Sequence, residues 1–281
     1  MVSEDIFSSM EVASAQKDKV AYYYTAQLFL RKRLNQIHSN LYGALVSQQD
    51  PVKLAEVLQE NEDMIAGWKQ KTSLVHDWHD DDPPATEILA ARLRAKYYGA
   101  WYISTRPYLD YALHVLEKFK SGQTLEQATV DARGRLRPSE LAIFRAISTM
   151  PEYHVIAKAR HCIKMAMQST VSLDRVPERL VVTNIMGTAH AQFGNMLVLS
   201  AAWYSGVPWA SDLISRERLQ QLFHRTVVFL RRLRFCSKTA NADVEILQTI
   251  HRSIFGQSVV ASEDGKFEAA GTQHTSFSSD T

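Results

Sequence analysis

The residues of this chain best suited to chemistry lie in a short acidic stretch, HDWHDDDPP, at positions 76–84. Its two histidines and four aspartates are side-chain types that hold divalent metal ions. Their spacing matches no compact metal site, and the two prolines predict a loop that would not fix the ligands. We therefore interpret the stretch as an acidic loop before a helix N-terminus, where negative charge is favourable, with a metal site as the alternative.

A second candidate is His190, the single histidine of a long apolar segment, RLVVTNIMGTAHAQFGNMLVLSAAWYSG, at 179–206. No charged residue occurs between Leu180 and Ser211. Polar residues in its middle would each cost roughly a few kcal/mol in lipid, so we predict a buried helix of a helical protein rather than a membrane span. Because no nucleophile or acid is spaced with His190, we interpret it as a hydrogen-bonded core or pocket histidine.

The most aromatic segment, RLRAKYYGAWYISTRPYLDYALHVLEK at 92–118, is interrupted once by Pro107. Apolar residues three or four apart predict helix on both sides of this proline, as one helix kinked near Ile103 or as two helices that meet there. Its rings have more area than one helix face can bury, so the segment should lie between several other helices. We interpret these rings as core residues, with a ligand cage as the alternative.

Helices are also predicted around these two segments. One should begin near Asp18, and the next should begin at Pro51 with Asp50 as its cap. Residues 1–17 and the Ser/Thr-rich tail at 256–281 are predicted to be disordered, which leaves one helical domain over 18–255. The expected fold class is all-α, an irregular multi-helix bundle with a kinked aromatic helix and a charge-free central helix.

Composition narrows the function classes. The chain has 281 residues and a formal net charge of +2, so there is no global electrostatic argument for nucleic acid. Cys162 and Cys236 lie in apolar contexts and are expected to be free buried thiols, and the absence of a signal peptide predicts an intracellular protein. No phosphate-binding loop, hydrolase elbow or metalloprotease motif is present, and no cofactor is expected.

Several segments resemble one known family when they are taken in order. They are RLRAKYYGAWYISTRP at 92–107, WHDDDPPATEI at 78–88 and VVTNIMGTAHAQFGNMLVLSAA at 181–202, supported by 30–42 and 226–250. Together they are similar to the fungal-specific transcription factor domain, or middle homology region, of the fungal binuclear zinc cluster transcription factors. The resemblance covers roughly residues 19–255.

This resemblance implies a fungal regulator of transcription located in the nucleus. In that family a helical domain is linked to effector response, while a separate zinc cluster reads DNA. Such a cluster needs six thiolates for two zinc ions, and this chain has two cysteines. DNA contact is therefore expected only indirectly or through a missing N-terminal zinc cluster. The chain is then part of a longer regulator, a cluster-less relative or the product of a truncated gene model.

Three functions follow as hypotheses. The first is a regulatory domain, with a metabolic or secondary-metabolite gene cluster as a candidate target, that binds a protein partner or a small-molecule effector between helices. Its candidate pocket residues are Tyr97, Trp101, Tyr108, His190 and Asn195. The second is an enzyme with an apolar pocket, which a carboxylate or thiol beside a perturbed His190 would favour. The third is a scaffold that forms a homodimer, which requires an exposed apolar patch and no cavity.

Overall fold

The structure is a computed structural model that describes residues 2–72, 78–131, 133–176, 185–233, 235 and 237–256, with side chains from Lys17 onward. Within these ranges the chain forms eleven α-helices and no β-strand, which confirms the all-α fold class. The helices are α1 Val2–Tyr42, α2 Pro51–Thr72, α3 Ile88–His114, α4 Leu116–Lys120, α5 Leu125–Ala128, α6 Pro138–Ser148, α7 Glu152–Val171, α8 Ile185–Tyr204, α9 Pro208–Ser211, α10 Arg216–Arg231 and α11 Lys238–Phe255.

The first helix is longer than the sequence predicted. It begins at Val2, whereas we expected a disordered segment and a start near Asp18. Neither glycine nor proline occurs between Val2 and Tyr42, so no residue of α1 interrupts its backbone hydrogen bonds. The helix ends before Gly43, where an added Cβ would lie 2.4 Å from the Ser39 carbonyl oxygen. Only glycine allows this close approach.

The start of α2 confirms the prediction for this part of the chain. Pro51 is its first residue, where the missing N–H of proline costs nothing. The Asp50 carboxylate accepts a hydrogen bond from the Val52 backbone N–H at 2.9 Å. This contact satisfies one of the N–H groups that a helix start leaves without an intrahelical partner.

The aromatic segment is helical on both sides of Pro107, as predicted, because α3 continues through this proline to His114, and Val115 separates it from α4. α3 runs through Pro107, which cannot donate a hydrogen bond to the Ile103 carbonyl four residues earlier. The Tyr42 hydroxyl at the end of α1 donates to that carbonyl at 3.2 Å. A side chain 61 residues earlier in the chain therefore replaces the backbone bond that Pro107 removes.

α3 lies at the centre of the bundle, as its aromatic content predicts. It packs along α7 and also contacts α1, α2 and α6. The charge-free helix α8 packs on α7, α10 and α11. It is not buried on every side, however, because Met186, His190 and Leu197 are exposed. Within the described ranges, no helix has the length and apolar content needed to cross a membrane.

The hydrogen bond from Tyr42 to Ile103 gives a first prediction. Tyr42→Phe removes the hydroxyl and leaves the carbonyl unpaired, so the free energy of unfolding should fall by about 0.5–1.5 kcal/mol. In a Pro107→Ala background the restored backbone N–H can bond the same carbonyl, and Tyr42→Phe should then cost much less. Urea unfolding of the four variants of this cycle measures the difference.

Tyr153→Phe is the matched control, because Tyr153 is 78% exposed and water can replace any contact of its hydroxyl. Equal losses on Tyr42→Phe in both backgrounds would mean that the hydroxyl does not compensate for Pro107.

Candidate functional site

The structure places the five predicted pocket residues in separate surroundings rather than around one cavity. Tyr97 stacks on Trp68 with ring centroids 5.9 Å apart and meets the edge of Trp78 at 5.6 Å. Lys69 lies over the Tyr97 ring at 5.2 Å. Burial raises the pKa of Tyr97 to about 12. This residue belongs to an aromatic core between α2 and α3.

Trp101 and Asn195 also make contacts inside the bundle. The Trp101 ring meets His161 of α7 edge to face, with centroids 4.8 Å apart. The Asn195 amide, 1% exposed, donates to the Thr170 hydroxyl at 3.1 Å. Asn195 therefore joins α8 to α7 through a buried hydrogen bond, and neither Trp101 nor Asn195 lines the groove described below.

Tyr108 lies beside a buried ion pair that joins α2 to α7. The Glu62 carboxylate, with 2% side-chain exposure, pairs with the Lys158 ammonium. Burial raises the pKa of Glu62, although Lys158 opposes this rise. Burial and the adjacent Glu62 also raise the pKa of Tyr108. The three side chains hold α2, α3 and α7 together in the core.

The prediction for His190 is wrong. Its side chain is exposed, and it is not a core or pocket residue. It lies near Asp243 of α11, where its charge opposes the rise that burial causes in the pKa of Asp243. The sequence pattern correctly predicted the helix that carries His190, but this position of α8 faces outward.

The thiol of Cys162 is fully buried, and burial raises its pKa to about 12. It donates a weak hydrogen bond to the Tyr102 carbonyl at 3.8 Å. Because the thiolate is the reactive form, this side chain is unreactive at neutral pH. Cys162 is a free buried thiol as predicted, and Cys236 lies outside the described residues.

The acidic stretch is anchored more firmly than a solvated loop. Trp78 is 4% exposed and joins the aromatic core, while Asp80 pairs with Lys69 at 3.0 Å. The Asp82 carboxylate accepts a hydrogen bond from the His79 backbone N–H at 2.8 Å. His76 and Asp77 lie outside the described residues. Among the described residues, no three acidic, histidine or cysteine side chains are grouped as metal ligands.

A groove with a volume of about 360 Å³ opens between α1, α3, α7 and α8. We name it the basic groove, after its three cations Arg31, Arg92 and Lys96. Small and aliphatic side chains supply most of the remaining wall, and they leave the space that larger side chains would fill. The groove is lined by Gln27, Arg31, Leu34, Asn35, Arg92, Ala95, Lys96, Gly99, Ile103, Ser169, Leu173, Gly187, Thr188, Ala191 and Gln192.

The charged side chains that line the basic groove within the described ranges are all positive. None of these described lining residues is acidic. Burial lowers the pKa of Lys96, and the nearby Arg92 and Arg31 lower it further. Like charges in a partly dehydrated site disfavour the ammonium, so the groove carries a positive potential that suits an anion.

A partly buried network lies behind the groove wall at Gln192. Arg225 of α10 pairs with Asp174 and reaches the Gln192 side-chain oxygen at 3.5 Å. Burial raises the pKa of Asp174, and Arg225 opposes that rise. On α10, Arg218 and Arg232 are exposed, whereas Arg225 is a partly buried partner of Asp174.

The sequence prediction placed the pocket among large aromatic side chains, but these side chains fill the core. The basic groove lies instead where the side chains are small. Gly99 inside the aromatic segment was a usable signal: an added Cβ there would meet no atom within 4 Å. The four-residue spacing of Gly187 and Ala191 on α8 was another, because small residues leave room beside a helix.

Comparisons of this chain with protein families, curated proteins and solved structures find no match.

The buried Glu62 gives a second prediction. Because its folded-state pKa lies above the ordinary value of 4.5, the folded chain holds more protons than the unfolded chain just above pH 4.5. The contribution of Glu62 to the free energy of unfolding therefore falls as pH rises from 4.5 through the raised pKa. Glu62→Gln should remove this dependence, which urea unfolding between pH 4 and 8 measures.

Glu60→Gln is the control on the same helix, since Glu60 is exposed. The prediction fails if the stability difference between the wild-type chain and Glu62→Gln does not change with pH.

Proposed function

We propose that this chain is the regulatory domain of a fungal transcription factor of the zinc-cluster type, and that the basic groove is its effector site. The observation that carries the proposal is the groove itself, where four helices meet around a cavity with apolar walls and a cationic rim. Its volume of about 360 Å³ lies at the lower end of the range for small-molecule sites.

Two of the segments that resemble the family supply much of this groove. The segment at 92–107 contributes Arg92, Lys96, Gly99 and Ile103 from α3. The segment at 181–202 contributes Gly187, Thr188, Ala191 and Gln192 from α8. Parts of the chain that resemble a regulatory domain are therefore the parts that form the cavity, which supports an effector-binding role.

An enzyme is the alternative, and the chemistry of the groove does not favour it. No histidine, cysteine or carboxylate lines the groove among the described residues. The nearest candidates for chemistry lie elsewhere, with His190 exposed and Cys162 buried. Ser169 lines the groove without a general base among the other lining residues. The arrangement can bind and hold a ligand, and none of the described lining residues is placed to transform one.

Regulation through this site needs two helix arrangements with different ligand affinities. The basic groove can provide this difference because its walls come from α1, α3, α7 and α8. A ligand that touches all four walls binds most strongly when the helices are close. Occupancy would then favour the closed arrangement, and a partner protein or the transcription machinery would read the changed surface.

A scaffold that only dimerises fits less well, because it required an apolar patch without a cavity. The patch is present: Val20, Tyr24 and Leu28 form a stripe on α1 and are 45%, 65% and 49% exposed.

A homodimer through this stripe stays a prediction. Light scattering should then show a dimer that Tyr24→Ser with Leu28→Ser converts to a monomer, while Val52→Ser at an exposed site on α2 has no effect.

A reporter assay tests the proposed regulation. The chain is fused to a heterologous DNA-binding domain in yeast, and transcription is measured on a panel of carbon and nitrogen sources. We expect the fusion to change transcription relative to the DNA-binding domain alone, in a way that depends on the medium. Gly99→Leu should abolish this dependence, because the added side chain enters the groove without meeting other atoms near its Cβ.

Gly67→Leu is the matched control, since Gly67 is a helical glycine on α2 with equal space for a Cβ and no place in the groove. Both changes should preserve the fold, because leucine is the better helix former by about 0.8 kcal/mol. A fusion that never alters transcription contradicts the regulatory role. A medium response that survives Gly99→Leu contradicts the groove as its site.

A further inference from the structure

We propose that the ligand of the basic groove is a small organic carboxylate with a short apolar body. This inference rests on the proposed function, which makes the groove an effector site, and it adds the chemical class of the effector. It follows from three features of the groove: its charge, its apolar wall and its polar groups.

The charge of the groove points to an anion. Lys96 is only partly exposed, lines the cavity with Arg31 and Arg92, and forms no ion pair with any described carboxylate. A half-buried ammonium beside two guanidinium groups is unfavourable without a counter-charge, and burial with these neighbours lowers its pKa. An anion in the groove supplies that counter-charge. Charge-assisted hydrogen bonds from lysine and arginine to an anion are among the strongest in proteins.

The apolar wall distinguishes an organic anion from a bare inorganic one. Leu34, Ile103 and Leu173 contribute aliphatic surface, and Gly99 with Ala191 leaves open space beside them. Free phosphate has no carbon atoms to cover this surface and would leave it in contact with water. A carboxylate with a short hydrocarbon chain satisfies both parts, because its charged end meets the cations while its chain displaces water from the aliphatic wall.

Two buried polar side chains complete the site. Gln27 and Ser169, 7% and 9% exposed, line the groove and make no hydrogen bond to another described side chain. Neither supplies one of the fully enclosed polar atoms that lack a partner, so a ligand in the groove can reach both side chains. They lie on α1 and α7, on different walls from Lys96 of α3. A carboxylate ligand with a second polar group would engage both ends of the groove.

Thermal unfolding of the full chain tests the proposal, with acetate, hexanoate and adipate as carboxylate probes. Hexanamide is the neutral counterpart of hexanoate, and inorganic phosphate is the anion without a carbon body. We expect hexanoate or adipate to raise Tm in a saturable way, while hexanamide and phosphate leave it unchanged. Acetate should bind more weakly because it covers less of the apolar wall.

Variants locate the binding site. Lys96→Met and Arg31→Gln should each weaken the carboxylate by about tenfold or more, because each removes a charge-assisted contact. Lys32→Gln is the control, since Lys32 is exposed on the same helix as Arg31 and lies outside the groove.

Lys96→Met should also raise Tm without ligand by relieving like-charge repulsion. A merely structural role for Lys96 predicts a lower Tm instead.

The outcomes separate this inference from the proposed function. A Tm shift that phosphate or hexanamide matches, or that Lys96→Met and Arg31→Gln leave unchanged, overturns the carboxylate assignment. A complete lack of shift with all three carboxylates also overturns it. In either case the reporter response and its loss in Gly99→Leu still decide whether the groove is an effector site.

Discussion

The arrangement of the core depends on the ion pair between Glu62 and Lys158. A carboxylate with 2% side-chain exposure loses nearly all of its hydration, and a positive partner in direct contact must replace it. Removing one member of such a pair costs about 3–5 kcal/mol, since the other charge stays buried alone. The pair therefore fixes α2 against α7 on the side of α3 where Tyr108 lies, and α3 is held between them.

α3 then presents two different faces. Tyr97 and Tyr108 belong to the face that fills the core, where large rings exclude water. Lys96, Gly99 and Ile103 belong to the face that lines the basic groove, where small side chains leave a cavity. The same helix thus provides both the rigid support and the open surface. The wall that α3 supplies is therefore held in position by the packing of its opposite face in the core.

The sequence was informative where local rules decide the structure. The cap at Asp50 and Pro51, the helical periodicity around Tyr97 and Tyr108, and the absence of strands from the described ranges all follow from short-range patterns. It was least informative about the functional site, because the basic groove is formed by residues from four helices that are distant in sequence.

His190 shows what local patterns cannot predict: its helix was predicted, but which side of α8 faces solvent depends on how α7, α10 and α11 pack. Proline rules likewise leave open how a carbonyl such as that of Ile103 is satisfied, since the partner comes from another helix.

The long sequence separation of the buried contacts has a consequence for how the chain folds as it is synthesised. Glu62 and its counter-ion are 96 residues apart, so a nascent chain contains the carboxylate well before Lys158 leaves the ribosome. Until then α2 cannot bury this charge, and the apolar residues around it stay exposed. The bundle can close only after α7 has emerged. Chaperones that bind exposed apolar surface are therefore expected to bind the incomplete chain.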